Sequence, residues 1–367
     1  MMQIHKRNWA RRMLLLGWVA GFFFLSGQVD LLWSQSKSIS LPVKKRTQAA
    51  PPAKSVSVSP SGYQSIITWS KKYGFKAYWV KKSKVLRLSN SANTLEFEVD
   101  RSCVVINGVR VWIGKPIKIV GGRISIDAQD IATALDPILS PKIRKTVKVV
   151  LLDPGHGGSQ PGATYQGKKE KDYVFLIAKE TQRLLQQKGL KVVITRPGDQ
   201  ILGLTSRSDM SARTKADLFV SIHLNAASSR SAKGVEVFTT TPAGAQSTNP
   251  DRSGSRSWTA GNANDVHNVL LAYQIQQEMT RQIGFEDRGV RRDRLGVLVG
   301  NTVPAVLVEA GFVTNTEDQK RIFVKSERDK VARAIADGIL NYKKAVETGR
   351  STLGSPTASK GTVIKKL

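Results

Sequence analysis

Cysteine is almost missing from this chain. Cys103 is the only one in 367 residues, so no intrachain disulfide can form, and its place in the apolar run Cys103-Val104-Val105-Ile106 reads as core rather than as a reactive thiol. Acidic residues are scarce as well. Asp and Glu number 28 against 57 Lys and Arg, a formal +29 that points to polyanionic surroundings: nucleic acid, an anionic lipid surface or an acidic wall polymer. No zinc knuckle, RNP-like aromatic motif or recognition-helix pattern accompanies the charge, so nucleic acid is not an expected partner. The apolar stretch at residues 13–25 is short of the ~20 residues that a membrane span needs.

What is present at the N-terminus is an address. Lys6, Arg7, Arg11 and Arg12 precede that apolar stretch as in a secretory leader, so export to the periplasm or cell envelope is expected. The cleavage signature at Leu25-Ser26-Gly27-Gln28 is poor and residues 29–33 add apolar side chains, which leaves residues 1–33 open as a signal peptide or an N-terminal anchor. Residues 34–55 carry Pro42, Pro51, Pro52 and basic side chains without an acidic one, the composition of a disordered linker drawn to an anionic wall or membrane surface. Residues 346–367 form a second basic tail, with Arg350, Lys360, Lys365 and Lys366.

Between these ends the length suits two cores. Residues 56–139 read as a small α+β domain. Ile66, Ile67, Trp69 and Tyr73 suggest a short helix closed by Gly74, residues 84–88 and 95–99 alternate as strands do, and Asn107-Gly108 between two β runs marks a hairpin. With the strand Gly121-Gly122-Arg123-Ile124-Ser125-Ile126, the hairpin resembles the small stalk-like domains first named from copper amine oxidases. No histidine lies in residues 56–139, so no copper chemistry is carried over; a spacer or wall-contact module is the expectation.

Residues 147–345 read as the larger domain. The run Val149-Val150-Leu151-Leu152 is short, β-rich and apolar, as a strand buried on both faces is, and Asp153-Pro154-Gly155 ends it, delivering His156 to a strand's carboxyl edge. Glu170 opens a helix of 3.6 period that lasts to Gly189; residues 191–195 make a strand, 205–212 a helix, and 218–223 a strand ending in His223. This alternation predicts an α/β fold with a mostly parallel twisted sheet and helices on both faces, bringing His156, Glu170 and His223 to one rim. Two imidazoles and a carboxylate form the shell of a catalytic zinc ion with a fourth position open to water. A further apolar run, residues 303–308, ends in Glu309, and a carboxylate at such a strand tip is costly unless it has a task, here that of proton acceptor.

At this point residues 148–342 resemble the zinc-dependent N-acetylmuramoyl-L-alanine amidases that trim bacterial peptidoglycan. The pieces stand in order: LLDPGHGG around His156, EKD at Glu170, ADLFVSIHLNA around His223, DRGVRR at residues 287–292 and PAVLVEAGFVTN around Glu309. Gln160 and Arg213 depart from the usual pattern, at positions that are not ligands. The resemblance implies one Zn2+ per chain on His156, Glu170 and His223, Glu309 as catalytic base, and hydrolysis of the amide between N-acetylmuramic acid and L-alanine in cell-wall remodelling or daughter-cell separation, with a protein activator as a candidate partner. Asn225, Arg292 and Trp258 are candidate substrate-binding residues. In residues 241–264, where some relatives carry a helix that plugs the site, Gly, Pro, Ser, Thr and Asn dominate, so a loop bordering the cleft is expected instead. Two rival readings stay open: a zinc amidohydrolase or peptidase acting on another amide, and a non-catalytic cell-wall-binding regulator.

Overall fold

The computed structural model describes residues 62–141, 144–249 and 261–350. The leader, the basic linker, the tail beyond Arg350 and Trp258 lie outside the described residues, none of whose helices is long and apolar enough to cross a membrane.

Eleven strands form one mixed sheet. Its outer part is an antiparallel meander of β1 (Lys76–Lys81), β2 (Val85–Ser89), β3 (Thr94–Glu98), β4 (Cys103–Ile106) and β5 (Val109–Trp112). Asn107 and Gly108, which join β4 to β5, have φ of 48° and 86°, the positive pair that a two-residue hairpin turn demands. The inner part holds β6 (Val149–Pro154), β7 (Lys191–Ile194), β8 (Leu218–Asn225), β9 (Val235–Thr240), β10 (Asp287–Asp293) and β11 (Ala305–Phe312). Across the sheet the order is β7-β6-β8-β11-β9-β10-β5-β4-β3-β2-β1.

The central strands β6, β8 and β11 run parallel, and the apolar runs that build them are buried as expected: Leu151, Leu152, Phe219, Val220 and Val308 have no exposed surface. Helices α1 (Glu170–Gln187), α3 (Asp265–Ile283) and α4 (Lys325–Thr348) pack against one face of the inner sheet. The other face is covered by α2 (Leu204–Arg213) and the short helix Gly296–Val299. Two strands depart from the expected parallel order, since β9 lies antiparallel to β11 and β10 runs parallel to β9. The connection between β8 and β9 holds no helix among the described residues, and without a crossover the chain can only turn back down the sheet.

The small segment is not a detached stalk. β5 pairs in parallel with β10, and one buried cluster runs from Trp69 and Phe97 through to Ile177 and Ile339. Polar ties reinforce the seam: Arg292 donates to Asp130 (2.9 Å), the Arg110 amide to Asp287 (2.6 Å) and the Tyr273 hydroxyl to the Ile106 carbonyl (3.0 Å).

Candidate metal centre

His156 follows β6 in a left-handed backbone conformation (φ 59°) that few non-glycine residues adopt unaided. Two buried arginines hold it there. Arg207 of α2 donates to the His156 carbonyl (2.6 Å), the Pro154 carbonyl (3.0 Å) and Asp153 (2.6 Å), while Arg196 donates to the carbonyls of Pro154 (2.9 Å), Gly155 (3.1 Å) and Lys171 (2.7 Å). Asp153 is itself fully buried and also accepts from Thr195 (2.6 Å) and Ser221 (2.8 Å). The loop is thus clamped from beneath before any ligand arrives.

Glu170 is the first residue of α1, and its carboxylate turns back toward the strand ends. It accepts from the amides of Ala163 (2.7 Å) and Leu224 (2.9 Å) and faces His223 Nδ1 (2.9 Å) and His156 Nε2 (3.2 Å). The two imidazoles stand edge to face with centroids 4.9 Å apart, and donor atoms of all three residues lie within 4.8 Å of one another. The space is reserved by glycine. A Cβ on Gly155 would collide with the His223 ring, and one on Gly162 with Glu170 and His156. Burial works to raise the Glu170 pKa, but hydrogen bonds with His156 and His223 outweigh it and hold the carboxyl below its ordinary range, so the site carries an anionic centre.

Glu309 meets this group from the next strand, register partner of His223 on β8 and of Glu236 on β9. Its Oε2 atom is sealed from solvent without a hydrogen-bond partner. Burial first, then the charges of Glu170 and Glu236, push its pKa well above the ordinary carboxylate value. The four residues expected from sequence therefore converge.

The remaining candidates separate. Asn225 donates to Glu236 (2.9 Å), a buried carboxylate that also takes Arg291 (2.6 Å), so it borders the site through this network. Arg292 does not face the rim. It is 1% exposed, pairs with Asp130, and stands opposite Thr239, three residues down β9 from Glu236 and so roughly 10 Å from the level of Glu309. Because β9 runs away from the rim, Thr241 begins its loop at the far edge of the sheet, but the loop returns as far as Thr248, whose carbonyl accepts from Arg291 (2.9 Å), the partner of Glu236. His267 is buried beside the Tyr342 hydroxyl (2.9 Å), and burial aided by Lys145 lowers its pKa to about 4. Sequence reasoning missed Arg196, Arg207, Asp153 and Glu236; the only signal was charge inside otherwise apolar or helical runs.

A family model described as N-acetylmuramoyl-L-alanine amidase matches residues 150–341. The chain belongs to this amidase family. A second model, the copper amine oxidase N-terminal domain, matches residues 63–146. Among similar proteins, N-acetylmuramoyl-L-alanine amidase LytC of Bacillus subtilis is 31% identical over 255 residues, covering 68% of this chain and 47% of the relative. N-acetylmuramoyl-L-alanine amidase AmiA of Escherichia coli is 32% identical over 228 residues, covering 55% of this chain and 79% of the relative. The amidase thus spans about half the length of the first relative and most of the second. A solved structure, amidase AmiC2 of Nostoc punctiforme, is 30% identical, covers 54% of this chain and 97% of its own, and gives a TM-score of 0.46.

Proposed function

We propose that this amidase hydrolyses the amide joining the lactyl group of N-acetylmuramic acid to L-alanine in peptidoglycan, with one zinc ion held by His156, Glu170 and His223. The observation that carries this reading is the convergence of two imidazoles on one anionic carboxylate beside a sealed, partner-poor Glu309. The donor set suits zinc, since three nitrogen and oxygen ligands leave a position for water, whereas harder octahedral cations favour more oxygen. Zinc bound there would act as a Lewis acid toward the amide carbonyl and lower the pKa of the attacking water.

The protein's own part is to orient and to move a proton. Arg207 and Arg196 fix the His156 turn, and the Leu224 and Ala163 amides fix Glu170, so the ligands meet the ion already aimed. Glu309 takes the proton of the attacking water on its carboxylate and hands it to the departing L-alanine nitrogen; burial and the charges of Glu170 and Glu236 raise its pKa, which strengthens the carboxylate as a proton acceptor. Export by the N-terminal segment, attraction of the basic linker and tail to an anionic envelope surface, control by a protein activator, and a role in wall remodelling or cell separation complete the proposal. The test is release of free stem peptide from purified sacculi, expected to stop with a chelator and to return with zinc. No release from sacculi, with turnover of other amides, would favour a different zinc amidohydrolase.

A further inference from the structure

The sheet face that carries Glu309 continues, in register, out across the small segment. His223 pairs with Glu309, Glu309 with Glu236 and Glu236 with Gly289; Arg110 stands level with Gly289 because Val111 pairs with Val290. Beyond it Arg110 pairs with Val105, Val105 with Glu96, Glu96 with Arg87 and Arg87 with Tyr78. At the spacing of neighbouring strands this single file is roughly 40 Å long. Its two ends differ in cover. Near the inner end the face lies under α2 and the Gly296–Val299 helix, but on β2 to β5 the half-buried residues alternate with fully buried ones that face the core, so no described element covers the file there. Tyr78 is 46% exposed, and the Arg87 guanidinium lies 5.7 Å from its ring. Trp112, half-buried on the same face, has Arg291 at 4.4 Å and Arg110 at 5.8 Å from its ring.

We infer that the open outer part of this face, on β1 to β5, is a track for the glycan strand of a substrate whose peptide lies at the metal rim. The inference rests on the amidase reading, because the bond to be cut joins a peptide to that glycan, and a polymer held at the rim must run somewhere. Chemistry favours a carbohydrate. Rings alternate with guanidinium groups and with the carboxylates of Glu96 and Glu98, a mixture of stacking surface, donors and acceptors that suits a hydroxyl-rich chain; an anionic lipid surface would find those carboxylates repulsive. A second copy of the chain is disfavoured at the outer edge, where Lys76 and Lys81 line the open side of β1.

The experiment compares the full chain with Tyr78→Ser and with Tyr78→Ala/Arg87→Ala, both changed on the exposed outer strands. The probes are peptide-free glycan strands, phosphatidylglycerol vesicles and a short soluble muramoyl-peptide. Glycan binding should weaken about fivefold or more in the double variant, and KM on sacculi should rise in step, while turnover of the short substrate and the melting temperature stay put. Unchanged glycan binding, or a loss confined to vesicles, overturns the track. A wild-type chain that binds glycan through these residues yet releases no stem peptide supports the track and overturns the amidase reading instead.

Discussion

Glu170 is met by four partners at the rim of the sheet, whereas Glu309, one strand beyond His223 on the same rim, keeps an oxygen bare. Both carboxylates lose water, Glu170 as a whole and Glu309 at Oε2, and the fold treats them in opposite ways. Around Glu170 the fold supplies two amides and two imidazoles, so the charge is held. Around Glu309 it supplies burial, no partner for Oε2 and two like charges, so the charge is resisted. Under the proposed function, local satisfaction would mark the residue that binds the ion, and local frustration the residue that changes its protonation.

The largest expected effect breaks the satisfied side. His156→Ala, Glu170→Ala or His223→Ala should abolish both zinc binding and stem-peptide release, read by metal analysis beside the release assay. Next comes the support beneath it. Arg207→Ala leaves Asp153 buried without its cation, and breaking such a pair typically costs ~3–5 kcal/mol, so the melting temperature should fall sharply and zinc affinity with it. An unchanged melting curve would show that the clamp is dispensable.

A smaller effect separates the two carboxylates by pH in the metal-free protein. Glu170 has a folded pKa below its unfolded one, so its contribution to stability is present above the unfolded value and is lost as pH falls toward the folded one. Glu309 has the reverse sign: its folded pKa is raised, so it weakens the fold as pH rises from the unfolded value through the folded one. Glu309→Gln should therefore be more stable than the parent near neutral pH and gain nothing in acid, as measured by melting curves across pH. A loss of stability at neutral pH would contradict the strained reading of Glu309. The smallest effect belongs to the basic ends. Removing residues 34–54 and 349–367 should weaken sacculus binding at low salt, fade toward ~0.15 M ionic strength, where the Debye length is ~8 Å, and leave turnover of a short substrate unchanged.

The rim was legible in the sequence because each of its parts closes a run with a clear period: apolar strands before His156, His223 and Glu309, and a helical period after Glu170. Other parts were not legible. β9 and β10 contain Glu236, Arg291 and Arg292, buried charges that hide a strand pattern because their partners are remote in sequence. Arg292 in particular looked like a residue for substrate, yet its partner Asp130 belongs to the small segment, and no local spacing foretells a pairing across so long an interval. The same holds for Arg207, whose helix reads as amphipathic but polar until Asp153 is seen beneath it. Propensity and period report local choices; the seam and the clamp are long-range ion pairs.

The division of labour between the two carboxylates is tested most directly by bound zinc per chain and stem-peptide release, measured together on Glu309→Gln and His223→Ala. Glutamine keeps the shape of Glu309 but cannot accept the proton, and positioned acid–base groups contribute ~10²–10⁴ in rate. Glu309→Gln is thus predicted to hold zinc near one per chain while release falls by at least ~10²-fold. If it loses zinc as fully as His223→Ala does, Glu309 is a ligand and the assignment of roles at this rim is wrong.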